Sequence, residues 1–482
     1  MNRIITFVLI LILVLALCGC GQEAPATESN AGAFCVGYGR ADITPLTSVP
    51  LAGYGNSTQR MSETILDLQY ATCLAIADEQ ENTVLLISID QQRASDVTVK
   101  AVRPLISAET GIPEDHIMFC ATHTHSGPDL TVVSNEAIQA YIPYLNEQLC
   151  QAARDAVADL KPATMEAGSI ETEAMNFTRH YSYIDENGQM QYFGDSFGTP
   201  TYNDTTKHIT EVDPTMYLVR FTQDDGNEIV LVNWRAHPSS TGWGNGGPLR
   251  NVSSDYIGSF RDAMEQQTGC RFVYFNGACG NVNSSSRITS ENRVSSNNER
   301  GSVLADYAIE CLNNNMEPVE TGLVCTKQKV LDMEIDHDYD SMVTQAKMVS
   351  LVFSQTGSNA EAIEAGKPYG IRSPYHANAI MSRAGKEATA DVEINAIVIG
   401  DSLSIVTTPN EYFDRLGVQV EEGSPYKYTL FFGYANSYRG YIPDTYGFEY
   451  TSYETDVCWF YSGCGETIRD TMLELLDQLY EG

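Results

Sequence analysis

Basic residues are scarce in this chain. Its 482 residues include 29 Lys and Arg against 63 Asp and Glu, which gives a formal net charge of −34. Nucleic acids and anionic lipid surfaces attract proteins through clusters of Lys and Arg, so this deficit argues against both as partners held by charge. The acidic excess indicates a well-solvated surface and does not identify a substrate.

The apolar run at the start of the chain is also too short for a typical transmembrane helix. The apolar run from Ile4 to Leu17 is interrupted only by Thr6, whereas a transmembrane helix needs about 20 apolar residues. The run follows Arg3 and is typical of an export signal. The sequence from Leu17 to Cys20 resembles a bacterial lipoprotein cleavage box, with Cys20 as the acylated first residue; an ordinary cleaved signal is the alternative.

These features predict the domain organisation. We expect a lipoprotein signal peptide over residues 1–19, a flexible tether over 20–32 and a single domain over 33–482. The acyl chain on Cys20 would anchor the protein to the bacterial cell membrane, outside the cytoplasm. Anionic lipid is not needed for that attachment.

Closely spaced cysteine motifs are missing as well. No Cys-x-x-Cys occurs among the ten cysteines that remain after Cys18 and Cys20, so a cysteine zinc site is not expected. An exported chain permits disulfides. Cys270 with Cys279, and Cys458 with Cys464, are the pairs to test, although a chain of this length does not need them.

No internal repeat, heptad or long low-complexity segment occurs, and short apolar runs alternate with amphipathic segments. This pattern predicts an α/β fold with mixed β-sheets flanked by helices. Prolines 104 and 143 are expected to break or kink the first two helices. The predicted strands are 83–89, 117–121, 229–232, 272–275, 403–407 and 429–432. The predicted helices are 97–109, 136–159, 255–267, 299–313, 340–353, 411–421 and 466–480.

Most of the predicted strands run directly into a polar or glycine-rich segment. The segments that follow five of them begin near His123, His237, Asn276, Glu411 and Ala435. Ligands of open α/β sheets gather beyond the carboxyl ends of the strands. We therefore expect the five segments to converge on one site.

The strongest local signal is the pair His123 and His125 in Ala121-Thr-His-Thr-His-Ser-Gly-Pro128. Residues i and i+2 of an extended segment face the same side, so both imidazoles can approach one cation, and neutral imidazole is a favoured zinc ligand. Two hydrogen-bonded loop histidines are the alternative reading of the pair alone.

Two segments together resemble the catalytic domain of the neutral, non-lysosomal ceramidases, zinc-dependent amidases that cleave the N-acyl bond of ceramide. They are Val36-Gly-Tyr-Gly-Arg-Ala-Asp-Ile-Thr-Pro45 and Ala121 to Pro128. The resemblance runs from about Phe34 to near the C-terminus. It implies one zinc held by His123, His237, Glu411 and Tyr441.

The residues themselves leave other interpretations open. A mixed shell of nitrogen and oxygen ligands suits zinc and leaves room for a water. Tyr441 alone could be a buried aromatic with a satisfied hydroxyl. Glu411 could complement a helix N-terminus, and His237 could be a core histidine ahead of a turn-forming proline.

Further residues receive roles by the same resemblance. His125 is a candidate to orient the zinc-bound water or to stabilise an oxyanion. Arg179 aligns with a substrate-side arginine of the family and could hold a developing oxyanion, although a surface ion pair is its alternative. Tyr438 could add a hydroxyl near the scissile bond.

The chain departs from the family at Asn283, where the ceramidases carry serine. An amide hydrogen-bonds but cannot become an alkoxide, so covalent catalysis at this position is excluded while hydrolysis by zinc-bound water survives. Ser284 is shifted by one residue and would point elsewhere. The chain also ends soon after the helix predicted over 466–480, where the ceramidases continue into a β-sandwich domain.

The expected function is zinc-dependent hydrolysis of an N-acyl amide, with a lipid-like substrate. The alternatives are the same chemistry on another amide or ester, and a non-catalytic lipoprotein that binds a lipid or glycan. The glycine-rich loop 239–248 is either a mobile segment that offers Trp243 to an acyl chain or a plain surface loop. A second, structural Ca²⁺ or Mg²⁺ is left open.

Overall fold

The computed structural model describes residues 32–54, 57–194, 203–244, 247–285, 296–450 and 452–481, with backbone alone at 243, 244, 247 and 248. The predicted signal peptide and Cys20 lie outside these residues. No helix in the described ranges is both long and apolar enough to cross a membrane.

The largest element is a nine-stranded mixed sheet with the order β16-β12-β11-β6-β1-β3-β4-β5 and with β18 beside β6. The edge pairs β12–β16 and β4–β5 are parallel, and the pairs between them are antiparallel. Its strands are β1 Cys35–Asp42, β3 Tyr70–Ala77, β4 Thr83–Ile89, β5 Ile117–Ala121, β6 Lys161–Glu171, β11 Thr215–Gln223, β12 Glu228–Trp234, β16 Arg271–Asn276 and β18 Glu317–Val319.

A four-stranded sheet packs on one face of the large sheet. Its order is β19-β20-β21-β23, and β21 and β23 are parallel. Its strands are β19 Val324–Glu334, β20 Thr389–Ile399, β21 Leu403–Thr407 and β23 Tyr428–Phe432. Small paired segments complete the strands: β2 Thr64–Ile65, β7 Phe177–Thr178, β8 His180–Ile184, β9 Met190–Gly194, β10 Lys207–His208, β13 Trp243–Gly244, β14 Gly247–Pro248, β15 Asn251–Val252, β17 Val282–Asn283, β22 Glu411–Tyr412 and β24 Tyr441–Ile442.

Helices flank both sheets, and three of them, α5 to α7, pack on one another. They are α1 Asp96–Thr110, α2 Glu136–Ala158, α3 Tyr256–Thr268, α4 Asn297–Asn314, α5 Val343–Thr356, α6 Asn359–Gly366, α7 Pro374–Arg383, α8 Asp414–Gly423, α9 Tyr453–Val457 and α10 Cys464–Tyr480. Apolar side chains of α1 to α4 pack on the large sheet, and those of α8 and α10 pack on the small one. The mixed sheets flanked by helices confirm the predicted fold class.

Side chains that alternate between the two faces of each strand form the core between the two sheets. In β12, for example, Ile229 and Leu231 face the small sheet, whereas Val230 and Val232 face the helices, as the period of two requires. Phe275 and Phe432 stack across the interface with ring centroids 4.1 Å apart. This two-sided burial explains why these strands are short continuous apolar runs in the sequence.

Hydrogen bonds bring the carboxyl ends of distant strands together. Asn276, at the end of β16, donates from Nδ2 to the carbonyl of Thr122 at 3.0 Å. Beyond β23, the backbone N–H of Asn436 donates to Phe119 of β5, and its Oδ1 accepts from the same residue. The turn after β12 joins them through the carbonyl of Ala236, which accepts from Nδ2 of Asn276 at 3.2 Å. The turns after β5, β12, β16 and β23, four of the five segments that the sequence predicts to converge, therefore meet at one edge.

One predicted helix has the wrong start, and neither of the two prolines ends its helix. The predicted helix over 411–421 begins only at Asp414, because Glu411 and Tyr412 pair instead with Tyr441 and Ile442 as parallel strands. Prolines 104 and 143 lie inside α1 and α2 without ending them. Each helix buries an apolar face on the large sheet, and this packing outweighs the missing hydrogen bond.

The ten cysteines from Cys35 onward are all free thiols. Neither pair singled out from the sequence forms a disulfide in this structure. Nine of the ten are buried, and burial raises the pKa of the Cys73 and Cys120 thiols, which keeps them protonated and unreactive.

Candidate metal centre

The turn after β5 presents His123 in a strained backbone. Its φ is 71°, in the left-handed region that residues other than glycine seldom adopt. The side chain is fully buried, and Nδ1 lies 2.7 Å from the carbonyl oxygen of Gln92. This contact assigns the proton to Nδ1 and leaves Nε2 with a free lone pair. Strain of this kind is typical of functional sites.

His237 has the same arrangement after β12. It is fully buried, and Nδ1 lies 2.8 Å from the carbonyl of Cys279 and 3.1 Å from that of Val282. Its Nε2 is therefore also unprotonated. Burial and the charge of Arg179 together lower the pKa of His237 to about 4, so the ring is neutral at ordinary pH.

Glu411 lies between the two imidazoles. Its Oε2 is 3.2 Å from Nε2 of His123 and 3.1 Å from Nε2 of His237. The interpretation of Glu411 as a helix N-terminal residue is wrong, since β22 and not a helix carries it.

These three side chains fit a divalent metal ion. Each histidine donates its Nδ1 proton to a backbone carbonyl, which is how metal-bound histidines are commonly fixed, and each directs Nε2 towards the same carboxylate oxygen. Two imidazoles and a carboxylate suit zinc. Two imidazole nitrogens and a carboxylate oxygen this close together need a cation or protons between them, because their lone pairs otherwise repel.

His125 belongs to the cluster but differs from the other two histidines. Its Nε2 lies 3.2 Å from Nε2 of His123, and ligand atoms of His123, His125 and His237 all lie within 4.8 Å of one another. However, the buried Nδ1 of His125 has no hydrogen-bond partner in the described residues. Because Nε2 of His123 is unprotonated, its 3.2 Å contact with Nε2 of His125 places the single proton of the His125 ring on that nitrogen. Burial and the neighbouring histidines lower the pKa of His125 well below its ordinary value, so the ring is neutral. It is the less suitable ligand.

Tyr441 and Tyr438 extend the site on the side of the small sheet. Tyr441 is paired in register with Glu411 and accepts a hydrogen bond from Nη2 of Arg179 at 3.2 Å. Burial and the Glu411 carboxylate raise the pKa of Tyr441 well above its ordinary value. Tyr438 donates its hydroxyl proton to Oε1 of Glu411 and lies beneath the guanidinium of Arg93, 4.1 Å from the ring centroid.

Arg179 is buried, and its interpretation as a surface ion pair is wrong. Its Nε donates to Oε1 of Glu454 at 2.6 Å, and Nη2 donates to the carbonyl of Gly280 at 2.9 Å. The second carboxylate oxygen of Glu454 lies 2.7 Å from Nε2 of His180. Burial opposes the charge of Arg179, but Glu454 and Tyr441 outweigh it and hold the pKa well above its ordinary value.

Asn283 lies at the edge of this network. As part of β17 it pairs with Phe177 of β7, and its Oδ1 accepts from Nη1 of Arg179 at 3.5 Å. The hydroxyl of Ser284 is instead 3.4 Å from that of Ser240. The hydroxyl of Ser284 therefore contacts the loop that follows His237. The side chain of Trp243 lies outside the described residues.

Two residues of the site were missed in the sequence. Glu454 holds Arg179, although 275 residues separate them. Tyr453 packs edge-on against Tyr441, with ring centroids 5.5 Å apart. Both lie in the five-residue helix α9, whose start is marked by the capping pair Ser452 and Thr455. That capping pattern indicated a helix but gave no information about what the helix contacts.

A model of a known protein family matches this chain. The model described as neutral/alkaline non-lysosomal ceramidase, N-terminal, matches residues 34–392, most of the chain. The chain belongs to this ceramidase family. The match contains His123, His125, Arg179 and His237. Glu411 and the tyrosines lie beyond it, so their membership of the site rests on the contacts above.

Curated relatives are neutral ceramidases of plants. Neutral ceramidase 2 of Arabidopsis thaliana is 32% identical over 99 residues, 20% of this chain and 13% of the relative. Neutral ceramidase 1 of the same plant is 25% identical over 213 residues, 42% of this chain and 26% of the relative. The neutral ceramidase of Oryza sativa subsp. japonica is 24% identical over 217 residues, 43% of this chain and 26% of the relative. The matches span about a quarter or less of the relatives' length.

Solved structures share the ceramidase fold. The neutral ceramidase from Pseudomonas aeruginosa superposes with a TM-score of 0.69 at 17% identity, over 93% of this chain and 75% of that one. A ceramidase described as complexed with C2 gives a TM-score of 0.67 at 16% identity, with the same coverage. At this level of identity the comparison establishes the fold.

Proposed function

We propose that this protein is a zinc-dependent hydrolase of N-acyl amide bonds of the ceramide type, with His123, His237, Glu411 and Tyr441 as zinc ligands. The observation that carries the proposal is the convergence of two unprotonated Nε2 atoms on Oε2 of Glu411, at 3.2 and 3.1 Å. Membership of the ceramidase family supports an amide as the bond that is cleaved.

When bound, zinc would lower the pKa of its water and polarise the amide carbonyl. His125 is placed to accept or pass on a proton next to that position, because its Nε2 is 3.2 Å from Nε2 of His123 and its Nδ1 has no hydrogen-bond partner among the described residues. Glu411 keeps its second oxygen engaged by the hydroxyl of Tyr438, which fixes the carboxylate plane.

Arg179 would stabilise the negative charge that develops on the carbonyl oxygen. Its guanidinium is held on three sides by Glu454, the carbonyl of Gly280 and the hydroxyl of Tyr441, so it is in place before substrate arrives. A preorganised donor of this kind is worth about 10²–10³ in rate. Asn283 supplies an acceptor beside it and no nucleophile, which supports direct attack by water.

The site of action is proposed from the sequence. Acylation of Cys20 would hold the enzyme on the outer face of the cell membrane, within reach of lipid-like substrates. Incorporation of radiolabelled palmitate into the wild type, and its loss in Cys20→Ala, would establish this anchor. Release of an unlabelled, soluble wild-type protein would indicate an ordinary signal peptide.

The decisive experiment pairs metal content with turnover. Zinc stoichiometry is measured on the purified protein from Ala33 onward, together with fatty-acid release from a fluorescent short-chain ceramide with and without chelator. We expect about one zinc per chain and release that stops on chelation and returns with zinc. Undiminished release from metal-free protein would overturn the mechanism.

Zinc binding without ceramide turnover would favour the other candidates. Asn283 at the family serine position is the observation that motivates them. A panel of other N-acyl amides and esters then separates an enzyme of different specificity from a lipid- or glycan-binding protein. Retention of all the ligand side chains favours the enzyme, because a site without catalytic function has no requirement for them.

A further inference from the structure

The backbone of Tyr434 is strained in the same way as that of His123. Its φ is 58°, in the left-handed region that bulky residues rarely adopt. The side chain is fully buried. A tyrosine that only filled space in the core would not need this conformation, and none of the roles assigned above accounts for it. Strain that persists in a folded protein indicates that the surroundings fix the residue.

The ring of Tyr434 lies flat against the imidazole of His123. The ring centroids are 4.1 Å apart, and the two planes differ by 19°. The hydrogen bond from Nδ1 to the carbonyl of Gln92 fixes the tautomer of His123, and the stacked ring fixes the plane of the imidazole. Rotation out of this plane would move Nε2 of His123 away from Oε2 of Glu411. The stack therefore holds one proposed ligand atom in place.

The hydroxyl of Tyr434 leads to the second histidine. It lies 3.0 Å from Sγ of Cys279, and the carbonyl of Cys279 accepts the Nδ1 proton of His237 at 2.8 Å. Hydrogen bonds of this kind orient the histidines that bind metal ions. Tyr434 therefore contacts the ring of one histidine and the residue that orients the other.

The main chain of Tyr434 contacts the segments that carry His123 and Glu411. Its N–H donates at 3.3 Å to the carbonyl of Asn410, the residue before Glu411. Its own carbonyl accepts at 3.2 Å from the N–H of Ala121, two residues before His123. In the left-handed conformation, both contacts form while the side chain faces His123. Three ligand-bearing segments thus meet at one residue.

We propose that Tyr434 is a positioning residue of the metal centre, which sets the relative placement of His123, His237 and Glu411, and that the thiol of Cys279 holds its ring. The proposal rests on the proposed zinc site and deepens it by adding two residues that are not themselves ligands. Substitution of residues that orient metal ligands typically costs about 10–100-fold in metal affinity.

Zinc affinity, measured by competition with a chromophoric chelator, tests the stack. Tyr434→Leu keeps an apolar side chain and the same backbone strain but removes the aromatic face, and we expect zinc to bind about 10–100-fold more weakly. Tyr434→Phe keeps the stack and loses only the contact with the thiol, so its zinc affinity should lie within roughly threefold of the wild-type value. Wild-type zinc affinity in Tyr434→Leu would overturn the proposal.

Phe221→Leu is the matched control. Phe221 is fully buried and stacks on Phe34, with ring centroids 6.4 Å apart. It pairs with Ile229 near the start of β12, whereas His237 follows the end of that strand. Both leucine variants lose a buried ring, so both should melt at a lower temperature than the wild type when free of metal.

A spectroscopic measurement separates ligand placement from packing. The visible absorption bands of the Co²⁺-substituted protein report the geometry of the ligands. We expect these bands to shift in Tyr434→Leu and to stay at their wild-type positions in Phe221→Leu. A shift of the same size in both variants would show that loss of packing alone accounts for the effect.

A double-mutant cycle tests the role of Cys279. Tyr434→Phe and Cys279→Ala each remove the contact between hydroxyl and thiol, so the double variant should bind zinc no more weakly than the weaker single variant. Cys279→Ser keeps a hydrogen-bonding group and should resemble the wild type. Additive losses in the double variant would exclude the thiol as the group that holds Tyr434.

Nuclear magnetic resonance of the metal-free protein separates this inference from the zinc proposal. In chelator-treated protein labelled with ¹⁵N-histidine, the Hδ1 signal of His123, assigned by its absence from His123→Ala, reports how firmly the ring is held. We expect a slowly exchanging signal in the wild type and in Tyr434→Phe, and its broadening or loss in Tyr434→Leu. A wild type that shows this difference but binds no zinc would end the zinc proposal and leave the positioning role. An unchanged Hδ1 signal in Tyr434→Leu would contradict that role even if ceramide is cleaved.

Discussion

Arg179 and Glu454 form a buried ion pair in which Nε of the arginine donates to Oε1 of the carboxylate at 2.6 Å. Glu454 is 1% exposed and also contacts His180. Because of this pair, the guanidinium is directed at the hydroxyl of Tyr441 rather than at solvent. A residue far from the recognised motifs thus sets the position of the proposed oxyanion-stabilising group.

Glu454→Gln is expected to lower kcat by about 10²-fold with little change in KM, because Arg179 loses its preorganised geometry while the ligands are untouched. Zinc content should stay at the wild-type value. Steady-state kinetics and metal analysis check both. Glu265→Gln removes the half-exposed ion pair with Arg40 and serves as the control with unchanged kcat. Equal kcat in Glu454→Gln and wild type would show that the pair has no catalytic effect.

His125 and His237 are expected to behave differently on substitution. His237→Ala removes a ligand and should abolish both zinc binding and activity. His125→Ala should retain zinc and lower kcat by about 10²–10⁴, the usual range for loss of a proton-transfer group. Metal analysis of the two variants distinguishes the roles.

The control for this pair is His337→Ala, because His337 is a surface histidine that contacts Asp340. It should retain both zinc and rate. Loss of zinc in His125→Ala would make His125 a ligand, and the cluster would then be a three-histidine site.

The sequence predicted the elements that depend on local pattern. The apolar runs of β5, β12 and β16 are continuous because both faces of these strands are buried, and each predicts a strand without further information. The helix predicted from Glu411 was wrong because β22 is two residues long and exists only through pairing with β24, 30 residues later. Tertiary pairing of this kind leaves no periodic signal.

The sequence likewise predicted the site residues that follow recognisable strands, and it did not predict those that join the site through tertiary contacts. His123, His125 and His237 follow recognisable strands, so their convergence could be expected. Glu454 could not be assigned, because its role depends on a contact with a residue 275 positions earlier.

Gly280→Ala is expected to lose zinc although it changes no ligand. A Cβ at this position would lie 2.4 Å from the backbone oxygen of Glu411 and 3.0 Å from that of Tyr412. Backbone atoms cannot rotate away, so β22 must move and displace the Glu411 carboxylate. We expect zinc affinity to fall at least tenfold, measured by competition with a chromophoric chelator. Gly385→Ala, where no atom of the described residues lies within 4 Å, should bind zinc like the wild type. The same affinity in Gly280→Ala would mean that Glu411 is not a ligand.

Asn283→Ser restores the residue type of the family at the edge of the arginine network. If water attacks the amide directly, the serine is not needed as a nucleophile, and the change should alter kcat/KM by no more than about tenfold, the value of one hydrogen bond. Asn283→Ala removes the acceptor that faces Nη1 of Arg179 at 3.5 Å and should have a similar, modest effect with zinc retained.

Rapid-quench kinetics of both variants and the wild type on a fluorescent N-acyl amide check this. A burst of amine release in Asn283→Ser that is missing in the wild type would reveal a covalent acyl-enzyme. In that case the geometry around Arg179 supports nucleophilic catalysis, and asparagine at this position limits the rate of the natural protein.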